Sequence, residues 1–332
     1  MTDKNLLGSW VRRFLLEHVV AERNLSQNSQ VSYRDTLTLL LPFASARSGR
    51  PIDRMTVEDL SPAIIRQFLE HLERHRHCSG ATRNQRLSTI HSLARFIGMR
   101  SPVHLSWCTE VRSIPLKKTA KTIIGYLEKA EMEALISQPD RRTALGARDH
   151  ALLLFLYNSG ARADEAAGLT VGSLRLGTSP SVRILGKGNK LRMCPLWPKT
   201  ASLLAPLVTG RDGHEAVFLG RTHQPMTRFG IHRIVTHYAK MARKKIPSLT
   251  GKNVSPHVIR HTSAVHLLRA GVDINTIRAW LGHVSLDTTH IYAEVDMEMK
   301  AKALASVDIS GLPVSPPRTT TLPSLMTFLR QL

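Results

Sequence analysis

Acidic side chains are scarce: 25 Asp and Glu stand against 46 Lys and Arg in 332 residues, a formal charge of +21. A chain this basic is matched to a polyanion, and so few carboxylates make a cluster of metal-holding acids hard to assemble. Cysteine is limited to Cys78, Cys108 and Cys194, far apart and in no C-x-x-C pair. That excludes a disulfide framework and a thiolate metal site, and it points to a reducing compartment. Long apolar runs are missing too. The longest, Ala151 to Tyr157, is too short to span a bilayer, and the opening MTDKNLLGSW lacks the charged start and apolar core of a signal peptide. The expected location is cytoplasmic, with no membrane partner. No Walker-type loop is found, so nothing marks a nucleotide triphosphate site.

The surplus of positive charge is uneven. Between Ala166 and Val272 there are 17 Lys or Arg and only two acids, Asp212 and Glu215. This density is the electrostatic footprint expected of a nucleic-acid binder. A hydrophobic content of 42% fits a globular protein, and the length leaves room for two domains.

The first hundred residues have helical periodicity. Leu6 to Ala21 forms one predicted helix, and Leu25-Ser26 opens the next, which continues to the break at Ser48-Gly49-Arg50-Pro51. Thr56 is expected to cap VEDLSPAIIRQFLEHLER, and Ser79 or Thr82 caps ATRNQRLSTIHSLARFIG. Arg83, Arg86 and Arg95 on this last helix make a candidate phosphate-tracking face. From Met99 to Tyr126 the periodicity fades and Lys117, Lys118 and Lys121 lack acidic compensation, so an extended basic linker is expected. Domain boundaries then follow: residues 1–98 helical, 99–126 linker, 127–308 a second domain and 309–332 a tail with too little apolar surface to fold alone. Inside the second domain the period changes. SVRIL and LRMCPL flank Gly186-Lys187-Gly188-Asn189-Lys190, a hairpin signature whose tip carries Lys187 and Lys190.

Chemistry concentrates between Ser255 and Val295. A helix is predicted to start at the Ser255 cap with Pro256 in its first position and to run to about Ala270. His257 and Arg260 then share one face of its first turn, where free N–H groups favour an anion. A second helix, Asp273 to Leu281, closes at Gly282 and leaves His283 just beyond; a third, from Ser285, carries Tyr292. A cation, two imidazoles and a phenol thus come within reach of one phosphate. His257 and His261, four apart, also suit zinc, but a third ligand and a general-base Glu are missing.

Arg162 in SGARADEAAGL, Lys187 in LGKGNKLRMCPL, His257 and Arg260 in HVIRHT, His283 in WLGH and Tyr292 in TTHIYAEV together resemble the tyrosine recombinase, or phage integrase-like, family. LSQNSQVSYRDTLTLLLPFA and SGATRNQRLSTIHSLARF resemble its helical core-binding domain, so the resemblance spans Leu6 to Leu304. It implies a mainly α fold with a small β-hairpin or sheet: an N-terminal helical core-binding domain and a mixed α/β catalytic domain. It also implies a catalytic set of Arg162, Lys187, His257, Arg260, His283 and Tyr292, with Glu165 as structural support. Tyr292 would attack a DNA phosphate to give a 3′-phosphotyrosine; Arg162 and Arg260 would hold the non-bridging oxygens; Lys187 would protonate the leaving 5′-oxygen; His257 would assist the tyrosine and His283 the phosphate. No cofactor or metal is implied, since the phosphotyrosine retains the energy of the broken bond. The implied partners are double-stranded DNA and further protomers, four on two DNA sites, as a homotetramer or with related recombinases, exchanging strands through a Holliday junction. The tail after Asp308 would pack on a neighbour. A mobile-element recombinase is the role expected; a non-catalytic DNA-binding regulator and a type IB topoisomerase-like enzyme are the alternatives.

Overall fold

The computed structural model describes residues 5–119, 125–186 and 188–282; Lys121, Lys187, His283, Tyr292, the helix expected from Ser285 and the tail lie outside the described residues. The chain divides into two compact units, Met1–Ile123 and Ile124–Leu332.

The first unit is helical because its apolar residues recur at helical spacing and its helix ends are marked by residues suited to them. Helix α1 (Leu7–Arg13) runs into a π-helical stretch, Phe14–Glu22. Ser26 precedes α2 (Gln27–Ser48), and Gly49 ends it in the left-handed region at φ 71°. Helices α3 (Pro62–Arg74) and α4 (Gly80–Arg100) are capped by Ser61 and Ser79, whose side chains accept from the Ile64 and Thr82 N–H groups. Thr56 is not the cap expected of it. Its N–H and hydroxyl instead donate to Asp59, forming a turn, and α3 waits for Ser61-Pro62, where the proline ring sets the first helical φ. Leu7, Phe14, Leu40, Phe68, Leu87, Ile90 and Phe96 fill the core.

The extended linker expected from Met99 is corrected as well. Helix α4 continues to Arg100, and α5 (Leu105–Arg112) packs against it, burying Trp107, Cys108 and Val111. Pro102 and Pro115 are punctuation around a helix whose apolar side is only one turn wide, which is why periodicity faded there.

The second unit begins with α6 (Lys129–Ile136) and the buried α7 (Ala144–Ser159), closed by Gly160 at φ 58°. The short α8 (Ala163–Ala167) follows immediately. Strands β1 (Leu174–Arg175), β2 (Ser181–Leu185) and β3 (Leu191–Pro195) form one antiparallel sheet in that order; β1 was not foreseen. The β2–β3 hairpin pairs Leu185 with Leu191, and its loop closes through the Gly186 N–H to the Lys190 carbonyl at 2.8 Å. Positive φ at Gly188 and Asn189 explains the residue types of that turn. Helices α9 (Pro198–Val208), α10 (Arg228–Arg243), α11 (Pro256–Arg269) and α12 (Ile274–Leu281) complete the described chain. Leu152, Phe155, Val182, Ile184, Phe218, Val235 and Ile259 form the core, with a smaller cluster of Val265, Leu268, Ile277 and Leu281 between α11 and α12. Among the described residues no helix is long and apolar enough to cross a membrane.

Candidate active site

An open cleft of about 580 Å³ in the second unit is lined by Arg162, Ala163, Arg228, Phe229, His232, Ser255, Pro256, His257 and Arg260. Three of the predicted residues therefore meet there, brought by different elements. Arg162 stands at the N-cap of α8, immediately after the Gly160 turn. His257 and Arg260 come from the first turn of α11, whose start is set by the Ser255 hydroxyl accepting from the Val258 N–H and by Pro256 in the first position. This placement puts the positive end of the α11 dipole at the cleft, an arrangement that favours a bound anion.

Arg260 is 2% exposed, yet it reaches the cleft lining. Its guanidinium donates to the Gly160 carbonyl at 2.6 Å and to the Leu281 carbonyl at 2.7 Å. It thus ties the C-terminal ends of α7 and α12 to α11 through carbonyl groups at helix ends. Gly282 follows Leu281 with φ 67°, and His283 follows Gly282 in sequence.

His257 is exposed and lines the cleft, its ring 5.6 Å from that of His261. Desolvation, and then the charges of Arg260 and Arg162, hold it below the ordinary imidazole value. The shift favours the uncharged imidazole, the form able to accept a proton. His261, one turn on, is pushed down to about 4 by burial and by His257 and Arg260.

Glu165 accepts four hydrogen bonds from two arginines. Its Oε2 accepts the Arg162 N–H at 2.9 Å, and its Oε1 accepts the Arg162 guanidinium at 2.7 Å. Arg192, on β3, donates to the same carboxylate through both terminal nitrogens, at 3.1 and 2.7 Å. Burial alone would raise this carboxyl, but the Arg192 bonds and charge, with those of Arg162, outweigh it and bring it to about 2. Glu165 is therefore an anion at any working pH.

Arg192, Arg228, Phe229 and His232 escaped the sequence reading. Arg228 pairs with Asp164 at 3.5 Å and lies 4.7 Å from the centroid of the Phe229 ring, which is 70% exposed at the cleft. A signal was present: arginine directly after the Thr227 cap sits at the positive end of the α10 dipole, where a cation is unfavourable without another reason.

The expected DNA-facing residues divide. Arg83 is turned inward, a correction to the exposed face expected of α4: its guanidinium donates to the Pro115 carbonyl and to Asn84, both at 3.0 Å. Arg86 is half-buried and Arg95 exposed, the latter beside a cleft of about 700 Å³ that also holds His18, His91, Arg100 and Arg112. Lys117 pairs with Glu73 at 2.7 Å, while Lys118 and Lys190 are exposed.

Two family models match this chain: the phage integrase family over residues 125–299, and the phage integrase N-terminal SAM-like domain over residues 12–100. The putative integrase/recombinase y4rC of Sinorhizobium fredii is 36% identical over 307 residues, covering 92% of each chain. The tyrosine recombinase XerC of Pelobacter propionicus is 30% identical over 297 residues, 87% of this chain and 91% of that one. In fold, the XerH site-specific recombinase bound to a palindromic difH substrate is similar with a TM-score of 0.65 at 21% identity, covering 86% of this chain and 81% of that one. The Tn1549 transposon integrase in complex with a circular intermediate DNA is similar with a TM-score of 0.66 at 15% identity, covering 89% and 98%.

Proposed function

The chain belongs to the phage integrase family, and from that premise we propose how its site works as a tyrosine-type site-specific DNA recombinase. Its substrate is double-stranded DNA. The Tyr292 phenol oxygen attacks the scissile phosphorus in line, the bond to the 5′-oxygen breaks, and the product is a 3′-phosphotyrosine with a free 5′-hydroxyl. The proton balance is closed by two groups. Neutral His257 takes the tyrosine proton, and Lys187 gives one to the departing 5′-oxygen. Arg162 and Arg260 face the non-bridging oxygens, where negative charge concentrates as the five-coordinate phosphorus forms. His283 donates to one of those oxygens. A 5′-hydroxyl from a second strand then reverses the step and seals a new junction, with no bond energy lost.

The observation carrying this reading is the meeting of Arg162, His257 and Arg260 at one cleft, at the N-terminal end of α11. In this reading strand exchange is pairwise, through a Holliday junction, in an assembly of four protomers on two DNA sites. The tail from 309 would dock on a neighbour. Likeness to the y4rC integrase/recombinase and to a transposon integrase favours integration or transposition of a mobile element as the role.

A suicide duplex, nicked so that the cleaved strand diffuses away, tests the chemistry. With DNA flanking the gene as substrate, in EDTA and without ATP, wild-type protein is expected to form a covalent adduct on denaturing gels, and Tyr292→Phe none. An adduct with Tyr292→Phe overturns the nucleophile. DNA binding by both proteins without an adduct from either moves the reading to a non-catalytic regulator.

A further inference from the structure

Strand β3 carries its residues the wrong way round for an ordinary half-buried strand. Leu191 is 60% and Met193 48% exposed, while Arg192 between them is only 9% exposed. The register explains how: Ile184 and Val182 of β2 face the core, and their partners across the ladder are Arg192 and Cys194. It does not explain why a guanidinium is buried while a leucine stays in water. That arrangement is unfavourable unless the charge inside is fully paired.

The pairing is with Glu165 through both terminal nitrogens, while Nε has no partner among the described residues. Two guanidinium nitrogens of Arg192 meet both carboxylate oxygens, and the remaining acceptor positions go to the Arg162 N–H and to one Arg162 nitrogen. Arg162 is thereby held by a single edge, and its side chain remains 38% exposed, at the cleft. Two glycines pack on the same pair. A Cβ on Gly186 would lie 3.3 Å from Glu165 Oε1 and 3.4 Å from Arg192 Nη1; one on Gly282 would lie 3.1 Å from Arg192 Cδ and 3.3 Å from its Nη1. Lys187 directly follows the first glycine, and His283 directly follows the second.

We propose that Arg192 is a positioning residue for strand transfer: paired with Glu165, it holds Arg162 by one edge and packs against Gly186 and Gly282, the neighbours in sequence of Lys187 and His283. This rests on the recombinase reading given above. Without Arg192, Arg162 is the carboxylate's only cation among the described residues, and the carboxylate draws that guanidinium away from the phosphate. The glycines lose the surface they rest on, and misplacement of about 1 Å at a reacting group costs on the order of 100-fold in rate.

The test uses full-length protein and two suicide duplexes, one ordinary and one with sulfur replacing the bridging 5′-oxygen at the scissile phosphate. A thiolate leaves without needing a proton, so it bypasses Lys187. Arg192→Met is expected to slow adduct formation on the ordinary duplex by about 100-fold. Its loss on the sulfur duplex is expected to be about tenfold smaller, because the general-acid part of the defect is bypassed while the Arg162 part remains. Arg192→Lys, which keeps the charge but not the fork, falls between. Glu165→Gln/Arg192→Met buries no unpaired charge and keeps a cooperative melt, so its slow cleavage separates positioning from folding. Cleavage by the double variant at the wild-type rate overturns the role of Arg192, as do equal losses on the two duplexes, the signature of a merely loosened fold. A wild type that forms no adduct overturns the recombinase reading and this inference with it.

Discussion

At Glu165 two large effects oppose each other. Burial favours the neutral acid, and the Arg192 fork with the Arg162 bonds favours the anion; the anion wins, with the carboxyl at about 2 against an ordinary 4.5. A carboxyl depressed in the folded state stabilises the protein fully above its unfolded value and loses that contribution as pH falls through the folded one. The window here is therefore pH 4.5 down to about 2, and the shift corresponds to about 3 kcal/mol of stability at neutral pH. Denaturant unfolding of wild type and Glu165→Gln/Arg192→Met across that window is expected to show the wild type losing stability relative to the double variant as pH drops. Parallel curves would mean that the pair carries no such linkage. At this scale the sequence was legible for the placement of Arg162, His257 and Arg260, because one-turn spacing puts the last two on one face and motif context adds the first at the same cleft. Arg192 was hidden: strand alternation in LRMCP sends Leu191 and Met193 inward on paper, and only the pairing with Val182 and Ile184 reverses it.

Among elements, legibility followed the caps. Ser255-Pro256, Asp273 and Gly282 bound α11 and α12 where composition put them, because a side-chain acceptor, a fixed proline φ and a left-handed glycine act locally. The Gly/Asn hairpin turn was readable for the same reason. Thr56 and the stretch from Met99 were misread because tertiary contacts decide them: Asp59 takes the Thr56 donors, and α5 exists by packing on α4. The joint between α7 and α8 is the element-level feature most sensitive to change. Gly160 has φ 58°, its carbonyl accepts from Arg260, and a Cβ there would collide with the Leu281 side chain. Gly160→Ala is expected to lower stability by about 2 kcal/mol, from left-handed strain together with the clash. It should also slow adduct formation, since Arg162 and Arg260 both hang from this joint. Differential scanning fluorimetry with the suicide duplex assay checks both, and an unchanged melting temperature would sink the claim.

For the whole molecule, charge was the clearest signal in the sequence, and it carries its own test. With +21 overall, binding to a duplex should be driven by release of condensed counterions, and affinity should fall about a thousand-fold between 50 and 200 mM salt if roughly six phosphates are neutralised. Fluorescence anisotropy with a labelled duplex measures it, and a salt-independent affinity would contradict a phosphate-tracking surface. The division into two units was readable in outline, while its position at Ile123 and Ile124 was not, because α5 lies in what composition presents as a linker. The buried pair of Glu165 and Arg192 also reaches beyond one molecule to the gene that encodes it. Replacing Glu165 alone leaves the Arg192 charge in the interior, and replacing Arg192 alone leaves the carboxylate to Arg162, so each single step is expected to cost more than the two together. Descent through such a site is expected to be epistatic, the two positions changing together, so that the hairpin is bound by the constraint of a helix 27 positions upstream.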